Sequence, residues 1–77
     1  MRQVFVVLGE EMVVQVPINA TLGEARDLAL LQGGAHGIPG EQWEIRNEKG
    51  YLLGSNQPAT SVEGGRIFLG LKIGVGA

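Results

Sequence analysis

The sequence predicts an α+β domain in which a mixed sheet of four to five strands packs on one helix. Strand-like segments rich in β-branched residues stand at both ends of the chain. A capped segment of helical period follows the first two of them, and it is the only such segment. The 77 residues allow a single domain with a single core.

Each element has its own signal. Residues 2–8, Arg-Gln-Val-Phe-Val-Val-Leu, are β-branched and aromatic and read as a strand. Gly9-Glu10-Glu11 is a short polar break. Residues 12–18 form the second strand, with Met12, Val14, Val16 and Ile18 alternating against Val13, Gln15 and Pro17. So short a break makes the pair an antiparallel hairpin. Thr21-Leu22-Gly23-Glu24 fits a capping box, in which Thr hydroxyl and Glu carboxylate each satisfy the other's backbone N–H. The helix then spans residues 22–32, with Leu22, Ala25, Leu28 or Ala29, and Gln32 at helical spacing. Gly33-Gly34 ends it, because glycine enters the left-handed conformation at little cost. Gly23 in the first turn weakens the helix.

Residues 35–40 are a loop containing Pro39. Trp43 to Arg46 is a third strand, with Trp43 and Ile45 on one face and Glu44 and Arg46 on the other. Asn47-Glu48-Lys49-Gly50 is a turn, and residues 51–53 a short fourth strand. Residues 54–65 are polar and rich in Gly, Ser, Pro and Asn, a long surface connection with one helical turn near Ser61. Residues 66–73 alternate Ile67, Leu69, Leu71 and Ile73 against Phe68, Gly70 and Lys72 and make the last strand. A lone helix must lay its apolar stripe on one sheet face. The two most strand-like segments are terminal, which places them side by side at the sheet centre. The result is a β-grasp roll.

Composition removes several function classes. The net charge is -2, and the six basic residues are scattered, so nothing draws a nucleic acid or an anionic membrane. The apolar runs are too short to span a bilayer, and no signal-peptide core is present. The absence of cysteine removes disulfides, thiolate nucleophiles and zinc-thiolate sites, and suits a cytoplasmic location. His36, the sole histidine, lies in a glycine-rich loop without metal companions and forms no triad with Asp27 and Ser61. Residues 34–40 are glycine-rich but follow a helix and lack the Lys-Ser/Thr pair of a phosphate loop.

The order of motifs resembles ubiquitin over nearly the whole chain. The features are Gln3-Val4-Phe5-Val6, the Thr21-capped helix, Gly37-Ile38-Pro39 followed by Gln42, and a leucine-alternating last strand leading to a glycine tail. Residues 43–50 and 69–77 are similar to bacterial ubiquitin-like modifiers encoded beside activating, conjugating and peptidase enzymes. The resemblance implies a ubiquitin-like β-grasp domain over residues 1–73 and a flexible conjugation tail, Gly74, Val75, Gly76 and Ala77. It implies a modifier that is not itself an enzyme and carries no cofactor. Its carboxylate is adenylated with ATP by the activating enzyme, passed to a conjugating enzyme, joined to target proteins and released by a peptidase. A monomer is expected. The reacting residue is Ala77 as the chain stands, or Gly76 after trimming. Ubiquitin's receptor-binding isoleucine appears here as Arg46, so ubiquitin-receptor binding does not carry over.

The tail can reach about 13 Å, at roughly 3.3–3.6 Å per residue, and its glycines suit a narrow enzyme channel; the alternative is a frayed terminus. Lys72 stands where ubiquitin carries an arginine read by its activating enzyme, and is otherwise a solvated cation. With Val4, Val6, Met12, Val14, Ile67 and Leu69 set toward the helix, Phe5, Val7, Val13 and Phe68 face outward. Phe5, Phe68, Arg46 and Lys72 are then the expected enzyme-recognition residues. Lys49 is a possible acceptor for chain formation. Trp43 reads as core. Two other functions use the same fold: a sulfur carrier with a C-terminal thiocarboxylate, and a noncovalent interaction module.

Overall fold

The computed structural model describes residues 1–34, 37–62 and 64–72. The expectations for His36, Ile73 and the tail lie outside them. Among the described residues five strands and one α-helix appear: β1 (Arg2–Val7), β2 (Glu10–Gln15), α1 (Leu22–Gln32), β3 (Trp43–Arg46), β4 (Leu52–Leu53) and β5 (Arg66–Leu71). Short 3₁₀ turns cover Gly40–Gln42 and Ala59–Val62. The strand order is β2-β1-β5-β3-β4. β1 and β5 pair in parallel at the centre and the other pairs are antiparallel. This is the α+β, β-grasp arrangement that the sequence predicts.

The hairpin is tighter than its composition suggests. Val7 pairs with Glu10, so only Leu8 and Gly9 form the turn. Both have positive φ, 52° and 81°. That is the handedness a two-residue hairpin needs to match strand twist. Tightening the turn brings Glu10 and Glu11 into β2, which ends at Gln15, before Pro17.

The capping box at α1 is complete. Thr21 Oγ1 accepts from the Glu24 N–H at 3.2 Å, and Glu24 Oε1 accepts from the Thr21 N–H at 2.9 Å. The helix stops at Gly34, whose φ is +77°, while Gly33 stays right-handed. Gly23 has a packing reason. Its N–H donates to the Ser55 carbonyl at 2.9 Å, and an added Cβ would sit 3.1 Å from Ser55 Cβ. The long connection is therefore stitched to the start of the helix. Leu22 N–H reaches the Gln57 carbonyl at 2.8 Å and Ala59 N–H the Ala20 carbonyl at 2.9 Å. Ala59 itself is fully buried, so the connection contributes to the core.

The core lies between α1 and the sheet. The helix contributes Leu22, Ala25, Ala29 and Leu30; of the pair Leu28 and Ala29, it is Ala29 that turns inward. Trp43 is 3% exposed and belongs to the core. Gln3 is the one buried polar residue among those described. Its Nε2 donates to the Ala59 carbonyl at 2.8 Å, tying β1 to the 3₁₀ turn.

The face of β1 is opposite to the expected one. Phe5 and Val7 point into the core, while Val4 and Val6 are half-buried on the outer face. β1 is apolar on both faces, so alternation alone does not decide which face is inside. Pairing does, because a one-residue change of phase reverses every side chain. Phe5 lies opposite Met12 and beside Ile67, both on the core side. Phe5 is thus removed from the outward contact residues. Leu71 is likewise no core anchor, being 44% exposed beyond the reach of the helix.

Candidate functional site: the outer sheet face and the end of β5

The sheet turns one face away from α1, and the register shows what it carries. Val6 lies beside Phe68, Val4 opposite Val13, and Arg46 opposite Phe68. Phe68 is half-buried and Val13 43% exposed. Of the expected recognition residues, Phe68 and Arg46 are therefore brought together, and Phe5 is on the other side of the sheet. Val4 and Val6 take its place. Their outward position was invisible in a strand where every residue from 4 to 8 is apolar.

Two arginines frame this apolar strip. Arg46 holds Glu44 through Nε at 3.2 Å and Nη2 at 3.0 Å, and its Nη1 donates to the Gly50 carbonyl. Arg66 reaches Glu48 at 3.1 Å and Glu11 at 3.2 Å, so three separate segments meet at one guanidinium. Its guanidinium carbon lies 5.9 Å from the centre of the Phe68 ring, within cation–π range. The hydrogen bonds that Arg66 donates to Glu48, then to Glu11, raise its pKa above the ordinary value. Such exposed pairs add little stability. Their effect is to fix an ordered charge pattern around Phe68, the kind of pattern that steers and orients a protein partner. No motif in the sequence marks Arg66. The carboxylates that engage it are 18 and 55 positions away in the chain, so no local signal marks them.

Lys72 follows β5 directly. Its backbone N–H donates to the Gln42 carbonyl at 2.8 Å, extending the β3–β5 ladder, and its side chain is exposed. It borders a hollow of about 390 Å³ where β4 stops, along with Arg26, Trp43 and Ser55. Trp43 Nε1 is buried without a hydrogen-bond partner among the described residues. Lys49 sits in the exposed turn after β3, which Asn47 Oδ1 closes by accepting from the N–H groups of Lys49 and Tyr51. Among the described residues no group of His, Cys, Asp or Glu is placed to hold a metal ion. No helix there is long and apolar enough to cross a membrane.

No protein-family model matches the chain, and no curated protein does. Solved structures do. A de novo design based on ubiquitin superposes with a TM-score of 0.74 at 17% identity, covering 100% of this chain and 94% of the design. ATBAG1, solved in complex with HSP70, superposes with a TM-score of 0.73 at 12% identity. That match covers 95% of this chain, which spans only 41% of the ATBAG1 chain. At these identities the likeness establishes the fold, which is ubiquitin-like β-grasp.

Proposed function

We propose that this chain is a ubiquitin-like protein modifier of the bacterial class, working through its C-terminal carboxylate. The observation that carries the reading is the ubiquitin-like fold, whose last strand β5 is followed in the sequence by Lys72, Ile73 and then Gly74-Val75-Gly76-Ala77. An activating enzyme adenylates the carboxylate with ATP and releases pyrophosphate, a nucleophilic side chain of the conjugating machinery displaces AMP and takes the acyl group, and an amine or hydroxyl of a target displaces that side chain. A peptidase trims or releases the modifier. Lys72, at the base of the tail, and Phe68 with Arg46 on the outer face are the proposed enzyme contacts. Lys49 is the proposed acceptor for chains. This chain supplies the reacting carboxylate and the recognition surface, and the partner enzymes supply the catalysis, in the cytoplasm.

The test is reconstitution with the activating and conjugating enzymes of a bacterial ubiquitin-like system, plus ATP. Higher-mass adducts are expected, and they disappear when residues 74–77 are removed. Lys72→Glu slows adduct formation without changing the fold. Adducts that survive tail removal overturn the mechanism. Mass analysis of a conjugate peptide identifies whether Gly76 or Ala77 is joined. A product in which sulfur replaces a carboxylate oxygen indicates a sulfur carrier instead.

The strip of Val4, Val6 and Phe68 favours a second reading, a noncovalent binding module. The fold also occurs in a protein solved in complex with HSP70. Full function in a chain lacking residues 74–77 distinguishes this reading from the first.

A further inference from the structure

Helix α1 leaves part of its apolar surface outside the core. Leu22, Ala25, Ala29 and Leu30 face the sheet. Glu24, Asp27, Leu28 and Leu31 lie at i, i+3, i+4 and i+7, which is one continuous face of a helix. Leu31 is 64% exposed and Leu28 37%. The helix thus buries alanines at two of its inward positions and leaves two leucines outside. With Pro17 and Ala20 from the segment between β2 and α1, these leucines line a groove of about 480 Å³. The groove lies on the helix side of the molecule, away from Phe68.

We infer that this groove binds an amphipathic helix of a partner protein, with apolar anchors on one face and lysine or arginine beside them. The charge of the groove carries that choice. Glu24 and Asp27 border it, and no cation among the described residues lines it. Arg26, the only cation of α1, is 11% exposed and faces the other hollow, beside Gly40. Asp27 Oδ1 accepts from Arg26 Nε at 3.1 Å, yet the Asp27 side chain stays 60% exposed while that of Arg26 is 11% exposed, so the carboxylate is the charge that a partner meets. Helix-in-groove recognition uses anchors at this same i, i+3, i+4, i+7 spacing, and opposite charge sets orientation and partner choice. A second copy of this chain is a poor occupant. Two α1 helices packed antiparallel about Leu28 would set Asp27 beside the Asp27 of the second copy. They would also set Glu24 against a last turn that contains no basic residue. The inference does not depend on conjugation of the tail.

The test uses two helical peptides of about 18 residues, long enough for several turns. Both carry leucine at the anchor spacing; one has lysine at the remaining positions and the other glutamate. Amide spectra of the whole chain are recorded during titration. The lysine peptide is expected to shift the resonances of Ala20 and of residues 24–31, and the glutamate peptide to leave them in place. Leu31→Lys and Asp27→Lys change exposed positions, and unchanged sheet resonances verify the fold. Each should weaken the lysine peptide by about tenfold or more, as loss of an anchor or of a charge contact does. Equal response to both peptides overturns the inference. So do shifts centred on Phe68, or a dimer of this chain formed through the same helix face.

Discussion

Phe5 of β1 stands beside Ile67 of β5 in the parallel register, and neither exposes any surface. This contact joins the first strand to the last at the centre of the sheet. It predicts an unequal response of the two phenylalanines. Phe5→Ala should cost about 3–5 kcal/mol, a large share of what a small domain possesses. Phe68→Ala, on the half-buried outer face, should cost much less and leave the urea transition cooperative. Equal losses for the two variants in urea denaturation would contradict the assigned faces.

Gln3 is buried for the sake of one hydrogen bond to the Ala59 carbonyl. Removing the side chain leaves that carbonyl without its donor inside the protein. Gln3→Ala should therefore cost about 1–3 kcal/mol. Hydrogen exchange should quicken first at Ala59, whose N–H donates to the Ala20 carbonyl, and at Ser61, whose N–H donates to the Pro58 carbonyl. Unchanged exchange there means that the bond does not hold the connection in place.

Thr21→Ala removes the hydroxyl that accepts from the Glu24 N–H. The expected loss is about 0.5–2 kcal/mol, read from thermal or urea unfolding. Thr21→Ser keeps the acceptor and should recover most of it.

Leu8 holds a φ of 52°, a conformation that non-glycine residues other than Asn and Asp rarely adopt. Its side chain is 73% exposed, so little packing repays the strain. Leu8→Asn creates the Asn-Gly pair that suits this turn and should stabilise the fold by roughly 0.5–1 kcal/mol. A lower melting temperature in that variant would show that Leu8 makes a contribution the strain argument omits.

The Arg66 pairing has a defined pH signature. Its pKa is raised in the folded chain, by Glu48 and then Glu11. A raised pKa contributes stability that is fully present below the unfolded value and is lost only as pH rises through the folded one, in strong alkali. Between about pH 6 and about pH 9 the wild type and Arg66→Met should therefore show parallel stability profiles. A divergence within that window would mean that Arg66 acts through something other than its own titration.

The fold was legible because its signals are local. The capping box needs only Thr21 and Glu24, three residues apart, and the helix bounds followed from it together with Gly33-Gly34. Trp43 and Ile45 alternate against two charged residues, so β3 and its inward face were evident. β1 offered no such contrast, and its face was inverted. The outer face was legible in part. Phe68 and Arg46 were placed on it from the sequence, while Val4, Val6 and the carboxylates around Arg66 were not.

The sequence by itself determined the order of elements, the capped helix and the terminal placement of the two central strands. Those depend on period, capping and composition, which are properties of neighbouring residues. The tertiary structure decided which side of β1 is buried, which helix stripe meets the sheet, and which charges share Arg66. Each of these is a choice between physically similar faces. Only the register between strands and the docking of the helix, set by contacts distant in the chain, breaks the tie.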